Sequence, residues 1–134
     1  MKYLLDTNIC IYLIKKKPRQ VLERFNVESP GEIGISSITV AELHYGVEKS
    51  QNPSQNRRAL MGFLLPLVIA AFDDQAAAAY GKIRTALEMM GKPIGSLDTL
   101  IAAHAVSLNA TLVTNNTREF LRVPGLAIAN WVED

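Results

Sequence analysis

Lys2-Tyr3-Leu4-Leu5-Asp6-Thr7-Asn8 is a short apolar run that stops at a carboxylate followed by two small hydrogen-bonding residues. A run of this kind, bounded by turn-formers, is the pattern of a strand covered on both faces. In parallel α/β sheets, ligands gather where such strands end. The stretch therefore predicts a buried strand that delivers Asp6 to a sheet edge. A second reading makes Asp6 the cap of a helix beginning at Ile9, because Asp, Thr and Asn are the preferred capping types.

Outward from this stretch, apolar spacing predicts a helix from Asn8 to Lys16, closed by a basic run and Pro18, and a shorter one from Arg19 to Asn26. Ser29-Pro30-Gly31 reads as a turn, and Ile33-Gly34-Ile35 as a short strand entering a helix through Ile38, Leu43 and Val47. Gln51-Asn52-Pro53 separates that helix from another, Ser54 to Leu65, and the two should pack as an antiparallel pair. Val68 to Phe72 is a third strand-length run, Asp73-Asp74 opens an Ala-rich helix ending near Met90, and Leu97 to Leu108 forms the next. Thr111 to Thr114 is the fourth strand; a polar turn, a short helix through Phe120 and a last strand around Leu126 to Ile128 complete the chain. Alternating strands and helices predict a three-layer α/β/α sandwich, in which helices flank a mostly parallel sheet of about four to five strands. One domain is expected across residues 1–134, with no linker or repeat.

The composition, 49% hydrophobic and 20% charged, suits a globular domain with a real core. A net charge of +1 does not decide for or against nucleic acid, since steering depends on how Lys and Arg are distributed. The single Cys10 forms no internal disulfide, and one Cys with two His does not make an ordinary zinc site. A reducing, cytoplasmic location is expected, with no signal peptide and no membrane span, because Lys15-Lys16-Lys17 would interrupt one beginning at Ile9.

Asp6, Glu42 and Asp98 stand where a parallel fold can bring acids together, at the carboxyl ends of neighbouring strands and the helices that follow. Each also has a structural reading: Glu42 follows Thr39 at the spacing of a capping box, and Asp98 could favour a helix N-terminus. Glu42 and Asp98 are nevertheless embedded in apolar sequence, Ile38-Thr39-Val40-Ala41-Glu42-Leu43 and Leu97-Asp98-Thr99-Leu100-Ile101, where a solvated carboxylate is not expected. Several carboxylates in one pocket repel one another unless a cation neutralises them. Hard oxygen ligands favour Mg²⁺ or Mn²⁺, which suits phosphodiester hydrolysis. Around these acids, Asn115 and Asn116 are candidates to fix waters or simply to form a turn. Thr7, Asn8, Thr114 and Glu119 are further supporting candidates, with Glu119 equally suited to a surface pair with Arg118 or Arg122. His44 and His104 are expected to be packing or surface residues, being off the helical spacing from any site acid.

Four blocks occur in order along the whole chain: Tyr3-Leu4-Leu5-Asp6-Thr7-Asn8; Ser37 to Gly46 around Ala41-Glu42-Leu43; Pro93 to Ala105 around Leu97-Asp98-Thr99; and Thr114-Asn115-Asn116-Thr117-Arg118-Glu119-Phe120. Together they resemble the PIN-domain proteins and, more narrowly, the VapC ribonuclease toxins of bacterial type II toxin–antitoxin pairs. The resemblance implies a Mg²⁺- or Mn²⁺-dependent endoribonuclease, with Asp6, Glu42 and Asp98 at the matching acidic, metal-holding positions. Many PIN domains carry a fourth acid where this chain has Asn116, so the resemblance leaves a second metal open. The Thr-Asn-Asn form resembles the branch that cuts the anticodon stem-loop of initiator tRNA. The implied partners are a VapB-type antitoxin, the tRNA substrate and a second toxin subunit. In the mechanism so implied, Asp6 and Asp98 hold the metal, Glu42 orients or deprotonates the attacking water, and Asn116 positions the water shell.

Lys15, Lys16, Lys17 and Arg19 form the densest basic cluster and are candidate RNA contacts, while Lys82, Arg84, Lys92 and Arg118 could line other edges. Tyr45 and Tyr80 are candidate stacking residues, against the stronger expectation that they pack in the core. Two other classes compete. A haloacid-dehalogenase-like phosphatase also places an Asp after its first strand, but Asn8 occupies its second acidic position; a receiver domain wants a late Lys that does not follow Thr114. A non-catalytic nucleic-acid-binding module is disfavoured by the low net charge.

Overall fold

The computed structural model describes residues 1–133, so the expected domain end at Asp134 lies outside the described residues. The strands are β1 (Tyr3–Leu5), β2 (Ile33–Ser36), β3 (Val68–Ala70), β4 (Thr111–Val113) and β5 (Ile128–Ala129). All pairings are parallel and the sheet order is β3-β2-β1-β4-β5. Parallel neighbours need crossovers, and seven α-helices supply them: α1 (Thr7–Lys15), α2 (Arg19–Asn26), α3 (Ser37–Glu48), α4 (Pro53–Leu64), α5 (Asp74–Met89), α6 (Ser96–Leu108) and α7 (Thr117–Phe120).

Strand alternation assigns the apolar residues to two cores, one on each face of the sheet. Tyr3, Leu5, Ile33, Ile35 and Val113 pack with Ile9, Leu13, Val21, Leu43 and Leu60 of α1 to α4. Leu4 and Leu112 point the other way, onto Ile83, Leu87, Ile101, Ala102 and Phe120 of α5 to α7. A central strand must be apolar on both faces for this to work, which is why Tyr3-Leu4-Leu5 does not alternate with polar residues. Burial of each large side chain here contributes about 1.5–3 kcal/mol.

Two strands differ from the sequence expectation. The last strand lies later than Leu126 to Ile128: Ile128 and Ala129 pair with Leu112 and Val113, because the strand must align with β4 rather than begin at the apolar run itself. The run from Val68 to Phe72 yields only the edge strand Val68–Ala70, and Val68 and Ile69 stay exposed because nothing flanks β3 on its outer side. The Phe72 amide instead donates to Ser37 Oγ at the start of α3. His104 is a packing residue as expected: it is buried on α6, edge-on to Phe72, with Nδ1 2.7 Å from Ser36 Oγ. Ser36 Oγ accepts the Ile38 amide at the start of α3, so its hydroxyl proton is free for the histidine.

Gly34 permits the close approach of β3 to β2. A Cβ there would collide with Met1 Sδ and lie 3.0 Å from the Val68 carbonyl oxygen, whereas a Cβ on Gly31 would meet nothing within 4 Å. Gly34→Val is therefore expected to destabilise the fold by about 1–3 kcal/mol in urea denaturation, and Gly31→Ala to change stability by no more than about 0.5 kcal/mol.

Candidate active site

The order of strands reverses between β1 and β4, since the chain moves outward from β1 through β2 and β3 on one side and through β4 and β5 on the other. The crevice beyond the carboxyl ends of these two strands is the place where such sheets bind ligands. Asp6 follows β1 directly and is only 5% exposed. Both early readings of this residue hold at once. Its Oδ1 accepts the Ile9 amide at 2.8 Å, capping α1, and its carboxylate faces the other acids.

Burial pushes the Asp6 carboxyl up from 3.8 to about 6, and the charges of Asp98 and Glu42 push it the same way; hydrogen bonds from Thr114 and the Ile9 amide oppose the rise. Asp98, in the first turn of α6, is also raised, by burial first and then by Glu119 and Glu42. No basic group is among those that perturb Asp6 or Asp98. Asp6 thus feels the charges of Asp98 and Glu42, and Asp98 those of Glu119 and Glu42, so the four acids are linked through Asp98 and Glu42.

The supporting residues divide. Thr7 donates to Glu42 Oε1 at 2.7 Å, which ties α3 to the first turn of α1. The capping-box reading of Glu42 falls away, because α3 begins at Ser37 with Ser36 as its cap and Thr39 is buried in the helix. Thr114, fully buried at the end of β4, accepts the Asn116 amide at 2.9 Å while its hydroxyl bonds to Asp6. Asn116 itself is half-buried and makes no side-chain cap to α7. Asn115 is exposed, and its Oδ1 accepts Asn130 Nδ2 at 3.2 Å rather than serving the acids. Asn8 is exposed too, so no second group of an Asp-x-Asp pair stands beside Asp6.

Glu119 corrects the surface-pair expectation. Among the described residues it forms no ion pair with Arg118 or Arg122; Arg122 donates to the Pro93 carbonyl oxygen instead, and Glu119 faces Asp98. The available signal was the i, i+3 spacing from Asn116 to Glu119, which places both on one face of a helical turn. The basic cluster is also less uniform than its sequence. Lys15, Lys16 and Lys17 are exposed, whereas Arg19 is paired with Glu23 at 2.9 Å. Lys15 lines a groove of about 270 Å³ between α1, α3 and α4, with Ile14, Leu43, Gly46 and Leu60 on its walls and Glu42 at its edge. Tyr45 is not a core residue: it is 66% exposed, while Tyr80 is half-buried with its hydroxyl held by Arg84 at 2.9 Å.

An all-oxygen donor set with raised carboxyls and no internal cation fits a hard divalent ion. Among the described residues no three of the acids stand close enough to clasp an ion unaided.

A carboxyl whose folded pKa is raised favours the fold at low pH and costs stability as pH rises. Below 3.8 Asp6 is protonated folded and unfolded; between 3.8 and about 6 only the folded chain keeps the proton; above that the full cost, on the order of 3 kcal/mol, is present. In buffer with EDTA, Asp6→Asn, which preserves the cap, is expected to raise stability at about pH 7.5 by on the order of 1–3 kcal/mol. The gain should fade towards about pH 4, as followed by urea denaturation across the range.

The PIN domain family model matches residues 3–126. Ribonuclease VapC2 of Haemophilus influenzae is 49% identical over 132 residues, covering 98% of this chain and 99% of that protein. The tRNA(fMet)-specific endonuclease VapC of Shigella flexneri is 48% identical over 131 residues, covering 98% of each. Among solved structures, DNA-bound VapBC from Salmonella typhimurium superposes with a TM-score of 0.93 at 46% identity and 98% coverage of both chains. VapBC2 from Rickettsia felis, bound to a promoter DNA fragment, gives 0.89 at 46% identity, covering 98% of this chain and 99% of that one. With Asp6 and Asp98 raised by burial and by neighbouring acids at the switch point of a parallel sheet, and relatives matched over nearly their full length, the chain belongs to the PIN domain family, among its VapC ribonucleases.

Proposed function

We propose that this chain is a Mg²⁺- or Mn²⁺-dependent endoribonuclease toxin that cuts tRNA, with the anticodon stem-loop of initiator tRNA as its preferred substrate. The observation that carries the reading is the convergence of Asp6, Glu42, Asp98 and Glu119 with no basic group among those perturbing Asp6 and Asp98. Likeness to the tRNA(fMet)-specific VapC of Shigella flexneri supports the choice of RNA. Asp6 and Asp98 would hold the ion together with waters, Glu42 would act on the attacking water, and Glu119 would add charge beside Asp98. When bound, the ion offsets the carboxylate charge and acts as a Lewis acid towards the phosphodiester oxygens.

The chain's own residues then have separate tasks. Asp6 is held by the Ile9 amide and Thr114, so one carboxylate keeps its direction without rotamer freedom. Thr7 occupies Glu42 Oε1, which leaves Oε2 to take a proton from the attacking water. Asn116 adds a neutral amide that orients water without adding charge. Water adds to phosphorus, the bond to the leaving nucleoside oxygen breaks, and that oxygen takes a proton from solvent.

The partner in this reading is a VapB-type antitoxin that covers the crevice, with a second toxin subunit in the complex; VapBC assemblies of Rickettsia felis and Salmonella typhimurium support it. Among the described residues no helix is long and apolar enough to cross a membrane, and a cytoplasmic site of action accords with a tRNA target.

The test is cleavage of a total tRNA pool with Mg²⁺, Mn²⁺ or excess EDTA, with products mapped by end-sequencing. Cuts confined to one anticodon loop and abolished by EDTA are expected; cleavage surviving EDTA would overturn the mechanism. Asp98→Asn and Glu42→Gln should each lower the cleavage rate by about 10²-fold or more with unchanged circular dichroism. Thr7→Val, which frees Glu42 without removing its charge, should cost about tenfold in kcat.

A further inference from the structure

Tyr45 is a large aromatic side chain that neither core takes in, being 66% exposed on α3. Glu42, Tyr45 and Lys49 follow one another at i, i+3 and i+7, so they lie along one stripe of the helix and its cap. Ile38, four residues before Glu42, belongs to the same stripe and packs on the α6 side of the sheet. The stripe therefore climbs from the α6 layer, past the acid, into solvent. Lys49 Nζ stands 4.7 Å from the centroid of the Tyr45 ring, and Lys49 takes part in no ion pair among the described residues. On the other flank of Glu42 lies the groove that carries Lys15. Glu42 thus shares a groove with Lys15 and a helical stripe with Lys49, which stands over an exposed ring.

We infer that Tyr45 and Lys49 hold the RNA next to the bond being cut: a base stacks on the Tyr45 face opposite the lysine, and Lys49 meets the flanking phosphate. A splayed single-stranded base offers a π-face to any exposed ring, and a lysine alongside neutralises the backbone without reading sequence. The assignment deepens the nuclease reading and rests on it. It gives Tyr45 a task in binding, separate from the chemistry of the acids one helical turn away.

The experiment uses the full chain carrying Asp98→Asn, so that RNA is bound and not consumed, and a fluorescein-labelled anticodon stem-loop RNA followed by anisotropy. Added Tyr45→Ala and Tyr45→Leu should each weaken binding about tenfold, and Tyr45→Trp should restore it, since a leucine fills space but does not stack. Lys49→Ala should reduce the slope of log affinity against log salt by about one. With Asp98 intact, Tyr45→Ala should raise KM and leave kcat unchanged, with an unaltered melting temperature. If Tyr45→Ala in the Asp98→Asn chain binds RNA as tightly as its parent, while the chain with Asp98 intact cuts RNA, the proposal falls alone. That result, joined with loss of antitoxin binding, would make the patch a protein contact instead. Failure of the Asp98→Asn chain to bind RNA, joined with failure of the chain with Asp98 intact to cut it, would remove the nuclease reading and this proposal together.

Discussion

Burying a carboxylate at the end of a central strand is the constraint on which the rest of this structure turns. Asp6 ends β1, the strand with neighbours on both sides, and is almost completely removed from water. A charge in that position is tolerable only with dedicated hydrogen bonds, and the fold supplies them from two directions: the first turn of α1 through the Ile9 amide, and the end of β4 through Thr114. The remaining cost is visible in a carboxyl pushed up to about 6. A protein selected only for stability would place an asparagine here, which caps a helix as well and carries no charge. Asp6 therefore costs the fold stability at neutral pH that an asparagine would not.

The surrounding hydrogen bonds connect the elements that must keep register for the acids to meet. Thr7 reaches from α1 to Glu42 on α3. Ser36 caps α3 and also meets His104 on α6, so the helix bearing Glu42 is tied to the helix bearing Asp98. Burial pushes the His104 imidazole below its ordinary range, which keeps the ring neutral and able to accept the Ser36 hydroxyl proton. The acids are positioned through the ends of β1, β2 and β4, where backbone pairing is rigid, rather than through flexible surface loops.

Much of this was legible in the sequence because the periodicities were strong. The run Tyr3-Leu4-Leu5 could only be a strand buried on both faces, and Asn109 ends α6 in the left-handed conformation that a polar residue tolerates. Asp6, Glu42 and Asp98 were legible as carboxylates in apolar settings. The failures share one cause, the dependence of a side chain's role on what faces it from another element. Tyr45 reads as core from an apolar helix, yet α3 is covered on the side of Leu43 and Val47 while Tyr45 faces solvent. Arg19 reads as a free cation until Glu23, one turn on, takes it up. Strand β5 slid to match β4 because register is settled by the neighbouring strand, which local sequence does not contain.

Glu119 shows how the same dependence works on charge. Asn116 stands where a fourth acid would complete a strongly anionic crevice, and by itself the amide leaves the acid count at three. Three residues on, α7 turns Glu119 back towards Asp98, and its charge raises that carboxyl more than Glu42 does. The fourth charge is therefore present, displaced by one helical turn and aimed at Asp98 rather than at Asp6, whose perturbing groups do not include it. Such an arrangement makes the crevice asymmetric. Asp6 is a buried acid fixed by hydrogen bonds, whereas Asp98 is half-buried, its carboxyl raised first by burial and then by the charge of Glu119. The two acids would therefore contribute differently to holding a cation: Asp6 with a carboxylate already oriented by its hydrogen bonds, Asp98 with one more open to solvent and carrying the added charge of Glu119 beside it.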